Sequence, residues 1–172
     1  MAIEDIKDAI KTAIQMEKDG YSFYKKAAAQ TNSEMGRTIF EGLASDEQMH
    51  LDVFEKMFDE QVGKKEWNGL VNSSKKYANI PIFPKDLKNS EISDPDISEI
   101  DALRIAMDSE KKAIDYYSKI KEKLTGEELV EIIDEIIEQE KNHYQLLEDE
   151  FNHINNTGYW FEFDYLGGQQ NF

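Results

Sequence analysis

Apolar residues recur every three to four positions from Ile6 onward, at Ile10, Ala13, Ile14, Tyr21, Tyr24 and Ala28. This is the stripe of an amphipathic helix, and it ends near Thr31-Asn32-Ser33. A second stripe runs through Ile39, Leu43, Met49, Leu51, Phe54 and Phe58 and fades at Gly63. From 64 to 95 the period is lost, and all three prolines (Pro81, Pro84, Pro95) fall in this window. Trp67, Leu70, Tyr77, Ile80, Ile82 and Phe83 in the same window predict an ordered crossover packed on the protein. A third helix starts after Asp94-Pro95, where Asp94 can cap free amides and proline suits the first helical position. It carries Ile100, Leu103, Ala106, Met107, Ala113, Ile114, Tyr117 and Ile120 to about Leu124. Thr125-Gly126-Glu127-Glu128 reads as a capping box that opens a fourth helix. That helix continues through Leu129, Ile132, Ile136, Tyr144, Leu147 and Phe151 and breaks near Asn155-Asn156-Thr157-Gly158.

Four helices, two short turns and one long connection describe an all-α four-helix bundle with a crossover between the second and third helices. The bundle is assigned to residues 1–155 and its crossover to 64–95. Residues 156–172 form a tail, Tyr159-Trp160-Phe161-Glu162-Phe163-Asp164-Tyr165 among them, that is too aromatic for a disordered end. It is expected to cover an apolar face of the bundle or to join a subunit interface. An internal repeat supports two similar helical hairpins. Adding 93 takes Glu17 to Glu110, Tyr24 to Tyr117, Leu43 to Ile136, Glu47 to Glu140, His50 to His143 and Phe58 to Phe151.

Composition narrows the chemistry. With 36 acidic against 20 basic residues the formal charge is -16, which repels nucleic-acid phosphates and anionic lipid surfaces. No nucleic-acid or membrane partner is expected. There is no cysteine, so disulfides, thiolate catalysis and cysteine-ligated metals are excluded within these 172 residues. No stretch approaches the roughly 18 apolar residues of a membrane span. The N-terminus, Met1-Ala2-Ile3-Glu4-Asp5, lacks the basic and apolar regions of a signal peptide, so the expected location is the cytoplasm. Metal chemistry, if present, must use oxygen and nitrogen ligands.

Such a ligand set is visible in the spacing. Glu17 and Glu47 lie symmetrically about position 32 in the first turn, and Glu110 and Glu140 about position 125 in the second. At 1.5 Å per residue each glutamate sits roughly 22 Å from its turn, so the members of each pair face one another across a hairpin. If the hairpins pack antiparallel, all four carboxylates share one layer. Glu47-Gln48-Met49-His50 and Glu140-Lys141-Asn142-His143 each add a histidine three residues on, on the same helical face. Four buried carboxylates without compensation would repel and protonate, and two cations remove that conflict. Four carboxylates and two imidazoles suit a pair of iron ions. Manganese accepts the same ligands, and zinc can substitute in recombinant protein. We expect Glu47 and Glu140 to bridge the ions, Glu17 with His50 and Glu110 with His143 to hold the outer positions, and the pair to reduce dioxygen or peroxide. Tyr24 and Tyr117, seven residues past the unbridging glutamates, either donate hydrogen bonds to them, carry radical chemistry or pack in the core. Phe54 and Met107 are expected to shape the cavity wall. His153 lacks a matched glutamate and reads as a surface or helix-capping residue.

Glu17 with Tyr24, Asp46-Glu47-Gln48-Met49-His50, Glu110 with Tyr117, and Glu140-Lys141-Asn142-His143 resemble the rubrerythrin-like members of the ferritin-like di-iron carboxylate superfamily, over about residues 3–154. The resemblance implies a ferritin-like bundle with a non-haem di-iron centre, a homodimer, and activity as a peroxide reductase or ferrous oxidase. Two departures stand out. Full-length rubrerythrins carry a cysteine-ligated rubredoxin domain that supplies electrons, whereas this chain has no cysteine, so an external electron-donor protein is implied. They also carry a carboxylate one turn before the third-helix ligand, where this chain has Met107. Two other functions compete with the oxidoreductase: ferritin-type iron handling, which would show as a spherical mineral-filled assembly, and a metal-stabilised scaffold without turnover.

Overall fold

In the computed structural model, which describes residues 6–62, 99–124 and 126–161, four helices account for nearly all the described chain. Helix α1 spans Ile6–Gln30, α2 Glu34–Val62, α3 Glu99–Lys121 and α4 Glu127–Thr157. No strand occurs among the described residues. The first turn is closed by local side chains. Ser33 accepts from the Gly36 amide at 3.1 Å, as an N-cap does, and Thr31 Oγ1 accepts from the Ser33 amide at 3.1 Å. At the far end of the chain α4 stops at Gly158, whose φ of 79° suits a residue without a Cβ and whose amide donates to the Ile154 carbonyl at 2.7 Å.

Each helix packs chiefly on its neighbour in sequence, α1 on α2 and α3 on α4, which gives two hairpins. Two contacts fix how the hairpins join. Thr31, just past α1, donates to Glu99 at the start of α3, and Tyr116, near the end of α3, donates to the carbonyl of Ala9 near the start of α1 at 3.3 Å. Helices α1 and α3 are therefore antiparallel, the pseudo-two-fold arrangement that the repeat predicts. Helix α2 ends and α3 begins at opposite ends of the bundle, the topology that a long crossover requires.

The apolar interior divides in two. One cluster gathers Ile10, Phe54, Tyr117, Ile120 and Ile133, and the other Phe40, Leu43, Leu103, Leu147 and Trp160. Between them lies a layer of buried carboxylates and imidazoles. Trp160 closes the second cluster. Its Nε1–H donates to Glu99 at 2.7 Å and its ring meets Phe40 edge-on at 5.7 Å. It lies so close to α2 that a Cβ on Gly36 would come within 2.7 Å of the ring, so glycine is needed there.

Three expectations change. The cap of α4 is Gly126, at φ 127°, where Thr125 was expected: the chain enters the helix through a conformation that favours glycine, and among the described residues no side chain caps this end. Tyr21 and Met49, taken as apolar-stripe positions, are 37% and 50% exposed. The α2 stripe instead runs Phe40, Leu43, Ala44, Glu47, His50, Leu51, Phe54 and Met57, which turns Met49 away from the interior. Asp94-Pro95, Gly63, Thr125, the 64–95 crossover and the tail beyond Phe161 lie outside the described residues.

Candidate metal centre

The six spacing-derived residues meet in the layer between the two apolar clusters. Glu17, Glu47, His50, Glu110, Glu140 and His143 are all buried, one or two from each helix. They form two groups of four, Glu17–Glu47–His50–Glu140 and Glu47–Glu110–Glu140–His143, whose donor atoms lie within 4.8 Å of one another. Glu47 and Glu140 belong to both groups. His50 Nδ1 is 3.5 Å from Glu17 and 3.3 Å from Glu140, while His143 Nδ1 is 3.1 Å from Glu140 and 4.0 Å from Glu110. The two imidazoles stack at 5.8 Å between centroids.

Local sequence makes this approach possible. A Cβ on Gly20 would sit 3.0 Å from the Glu47 carboxyl carbon, so the bare helix surface at Gly20 lets the carboxylate lie against α1. The tyrosines cross between hairpins: Tyr24 of α1 donates to Glu110 of α3, and Tyr117 of α3 donates to Glu17 of α1. Of the roles open to them, hydrogen bonding to the unbridging glutamates is the one this geometry supports. Burial and the neighbouring carboxylates push both phenols well above their ordinary value, so each hydroxyl keeps its proton and remains a donor.

Charge in the layer is strained by confinement. Burial, and then the charges of Glu17 and Glu140, push Glu47 well above the usual carboxylate range. Glu110 is raised likewise by burial and by Glu140. Glu140 is driven the other way. Burial opposes its charge, but the imidazoles of His143 and His50 beside it outweigh this and hold its carboxyl well below the usual range. Burial also opposes charge on the histidines, yet Glu140 and Glu17 raise His50 to about 11, and Asp46 and Glu140 raise His143 to about 10. Protons thus occupy the site in the absence of a cation.

Protons do not satisfy every group. Glu17 Oε2 and His50 Nδ1 are buried with no hydrogen-bond partner, although they face each other at 3.5 Å. A carboxylate oxygen and a ring nitrogen that face inward without a bond, inside a set of oxygen and nitrogen ligands, are what a cation would satisfy once it displaces the imidazole proton. The residues present therefore fit a pair of metal ions.

Around these six, the structure adds residues that spacing did not reveal. Behind the histidines, His50 Nε2 donates to Gln139 at 2.8 Å and His143 Nε2 pairs with Asp46 at 3.2 Å. Asp46 and Gln139 each immediately precede a shared glutamate, and each reaches the histidine of the other hairpin. Their matched positions immediately before the two Glu-x-x-His segments mark them as a pair but do not show which histidine each reaches. A cavity of about 10 Å³, room for one water molecule, is lined by Met16, Glu47, Ser109, Glu110, Ala113, Tyr117 and Glu140. Phe54 and Met107 do not line it. Phe54 packs on the Tyr117 ring at 5.1 Å, and Met107 packs with the Trp160 cluster, because a long side chain on a helix leans toward the helix N-terminus and so away from Glu110. His153 stands apart from the centre and meets Phe161 edge-on at 4.9 Å.

Among the described residues no helix is long and apolar enough to cross a membrane. Comparison with solved structures finds a ferritin-like diiron-carboxylate protein from Thermotoga maritima, 22% identical with a TM-score of 0.69, covering 92% of this chain and 99% of that one. A hypothetical protein from Pyrococcus furiosus is 21% identical with a TM-score of 0.67, covering 89% of this chain and 92% of that one. These likenesses bear out the all-α ferritin-like bundle. No curated protein matches the chain. The rubrerythrin family profile matches residues 8–151, which contain all six clustered residues and both tyrosines, and the chain therefore belongs to the rubrerythrin family.

Proposed function

We propose that the protein is a non-haem di-iron oxidoreductase that reduces hydrogen peroxide or dioxygen with electrons from an external donor protein. The observation that carries this reading is the pair of four-residue groups sharing Glu47 and Glu140. In this reading Glu47 and Glu140 would be shared by both ions, Glu17 with His50 would hold one, and Glu110 with His143 would hold the other. Two ferrous ions would supply one electron each, enough for H2O2 + 2 e⁻ + 2 H⁺ → 2 H2O. The protein's part is to hold the ligands. Tyr24 and Tyr117 keep their protons and orient the two outer carboxylates, Asp46 and Gln139 orient the imidazoles, and the two apolar clusters exclude bulk water.

The small cavity beside Glu47, Glu110 and Glu140 leaves no room for a bulky organic substrate. Electrons must come from outside these 172 residues, which contain no cysteine to hold a rubredoxin-type iron. A homodimer in the cytoplasm is part of the proposal, and the family likeness is what supports it.

The test is anaerobic loading with ferrous iron, then rapid mixing with hydrogen peroxide and, separately, with dioxygen. Oxidation of both irons, faster with peroxide, is the expected result. Two bound irons that neither oxidant touches would overturn the oxidoreductase and leave a metal-stabilised scaffold.

A further inference from the structure

The near-symmetry of the centre makes its one charged asymmetry informative. Along the offset of 93 residues, Glu17 matches Glu110, Glu47 matches Glu140, His50 matches His143 and Tyr24 matches Tyr117. The tyrosines obey the symmetry in space as well, each donating to the other hairpin's outer glutamate. By residue type, neither the ligands nor the tyrosines distinguish the two halves. The groups behind the histidines do. Position 46 is aspartate and its mate, position 139, is glutamine. His143 Nε2 is held by a carboxylate at 3.2 Å and His50 Nε2 by a neutral amide oxygen at 2.8 Å.

Resting on the di-metal reading above, we propose that the two metal positions are inequivalent, and that Asp46 makes the position of Glu110 and His143 the one that fills first. A carboxylate accepting the Nε2–H draws that proton toward itself and leaves Nδ1, the atom facing the glutamates, a stronger donor to a cation. An amide carbonyl also fixes the ring but adds no charge. Partners of this kind change metal affinity by about 10- to 100-fold. Asp46 is 42% exposed and its bond is the longer of the two, so screening places the effect near the lower end, about 10-fold. Asp46 and Gln139 are positioning residues, since each acts only through a histidine.

Cobalt(II) titrated into the metal-free full chain tests this, with calorimetry for affinity and proton NMR for location. Repulsion between two ions separates the binding steps even in a symmetric site, so the order of filling carries the information. At one equivalent of cobalt the paramagnetically shifted imidazole N–H of His143 is expected to dominate. Equivalent positions would shift the His50 and His143 signals equally and overturn the inference, as would earlier filling at His50. Asp46→Asn keeps the shape and removes the charge; it should weaken the first step about 10-fold and equalise the two signals. Gln139→Glu, also isosteric, should strengthen binding at His50 by a similar factor. An Asp46→Asn protein with unchanged order and affinity overturns the inference, and if that variant does not fold, wild type and Gln139→Glu decide it. A chain that takes up no cobalt overturns the di-metal reading itself, whereas two ions bound without preference overturn this inference alone.

Discussion

The metal-free protein should have a stability that depends steeply on pH. In the metal-free protein His50 is raised to about 11 and His143 to about 10 by the carboxylates around them. In the unfolded chain both titrate near 6.5. A group raised by folding contributes stability that is complete below its unfolded value and lost as pH climbs toward its folded value. Between about pH 7.5 and 9 the folded state holds nearly two more protons than the unfolded state, so stability falls by about 2.5 kcal/mol per pH unit. Glu47 and Glu110, also raised, act in the same direction from the carboxylate range upward, while Glu140, lowered, weakens the protein only as pH falls into acid. For a protein of this size 2.5 kcal/mol is about 5–10 °C in Tm per pH unit. Thermal unfolding of chelator-treated protein from pH 7 to 9 measures this slope. The loaded protein should show little of it, because ions replace those protons, and its advantage over the metal-free form should widen with pH. A metal-free Tm that is flat or rises over this range would refute the proton-filled centre.

Four further outcomes follow from named contacts. Glu47→Ala or Glu140→Ala should lower metal content at both positions, since each residue belongs to both ligand groups, and full occupancy in either variant by elemental analysis would remove the bridging assignment. Tyr24→Phe leaves Glu110 without its donor, and Tyr117→Phe does the same to Glu17; each should cost the metal-free protein about 1–3 kcal/mol in urea unfolding. Gly36→Ala gains about 1 kcal/mol of helix propensity but drives a methyl into the Trp160 ring, so we expect net loss of stability and, in a Trp67→Phe background, red-shifted tryptophan emission. Replacing His153 by glutamine should leave metal content unchanged, because its ring meets Phe161 and lies outside both ligand groups.

The architecture was legible because helical period and turn symmetry are both one-dimensional quantities. Equal distances of Glu17 and Glu47 from one turn, and of Glu110 and Glu140 from the other, suffice to set four side chains at one height once the hairpins lie antiparallel. The cross-hairpin bonds had no such signature. Asp46 is four residues before His50 on its own helix, a spacing that suggests a pair, yet it reaches His143 because the shared layer turns both histidines inward and leaves each Nε2 facing the opposite hairpin. Cavity walls were misread for a related reason. Met107 has the right spacing from Glu110, but side-chain lean, which spacing does not encode, carries it to the Trp160 cluster and leaves Met16 and Ser109 beside the carboxylates. The cap of α4 depended on a backbone angle at Gly126 that Thr125 and Glu128 could not reveal.

The most direct test of the centre is the number of irons bound per chain after anaerobic loading and removal of excess metal, read together with Mössbauer spectra of the oxidised protein. Two irons per chain that couple magnetically are the predicted result, since Glu47 and Glu140 stand in both ligand groups. One iron per chain, or two that do not couple, would contradict a shared carboxylate-bridged centre.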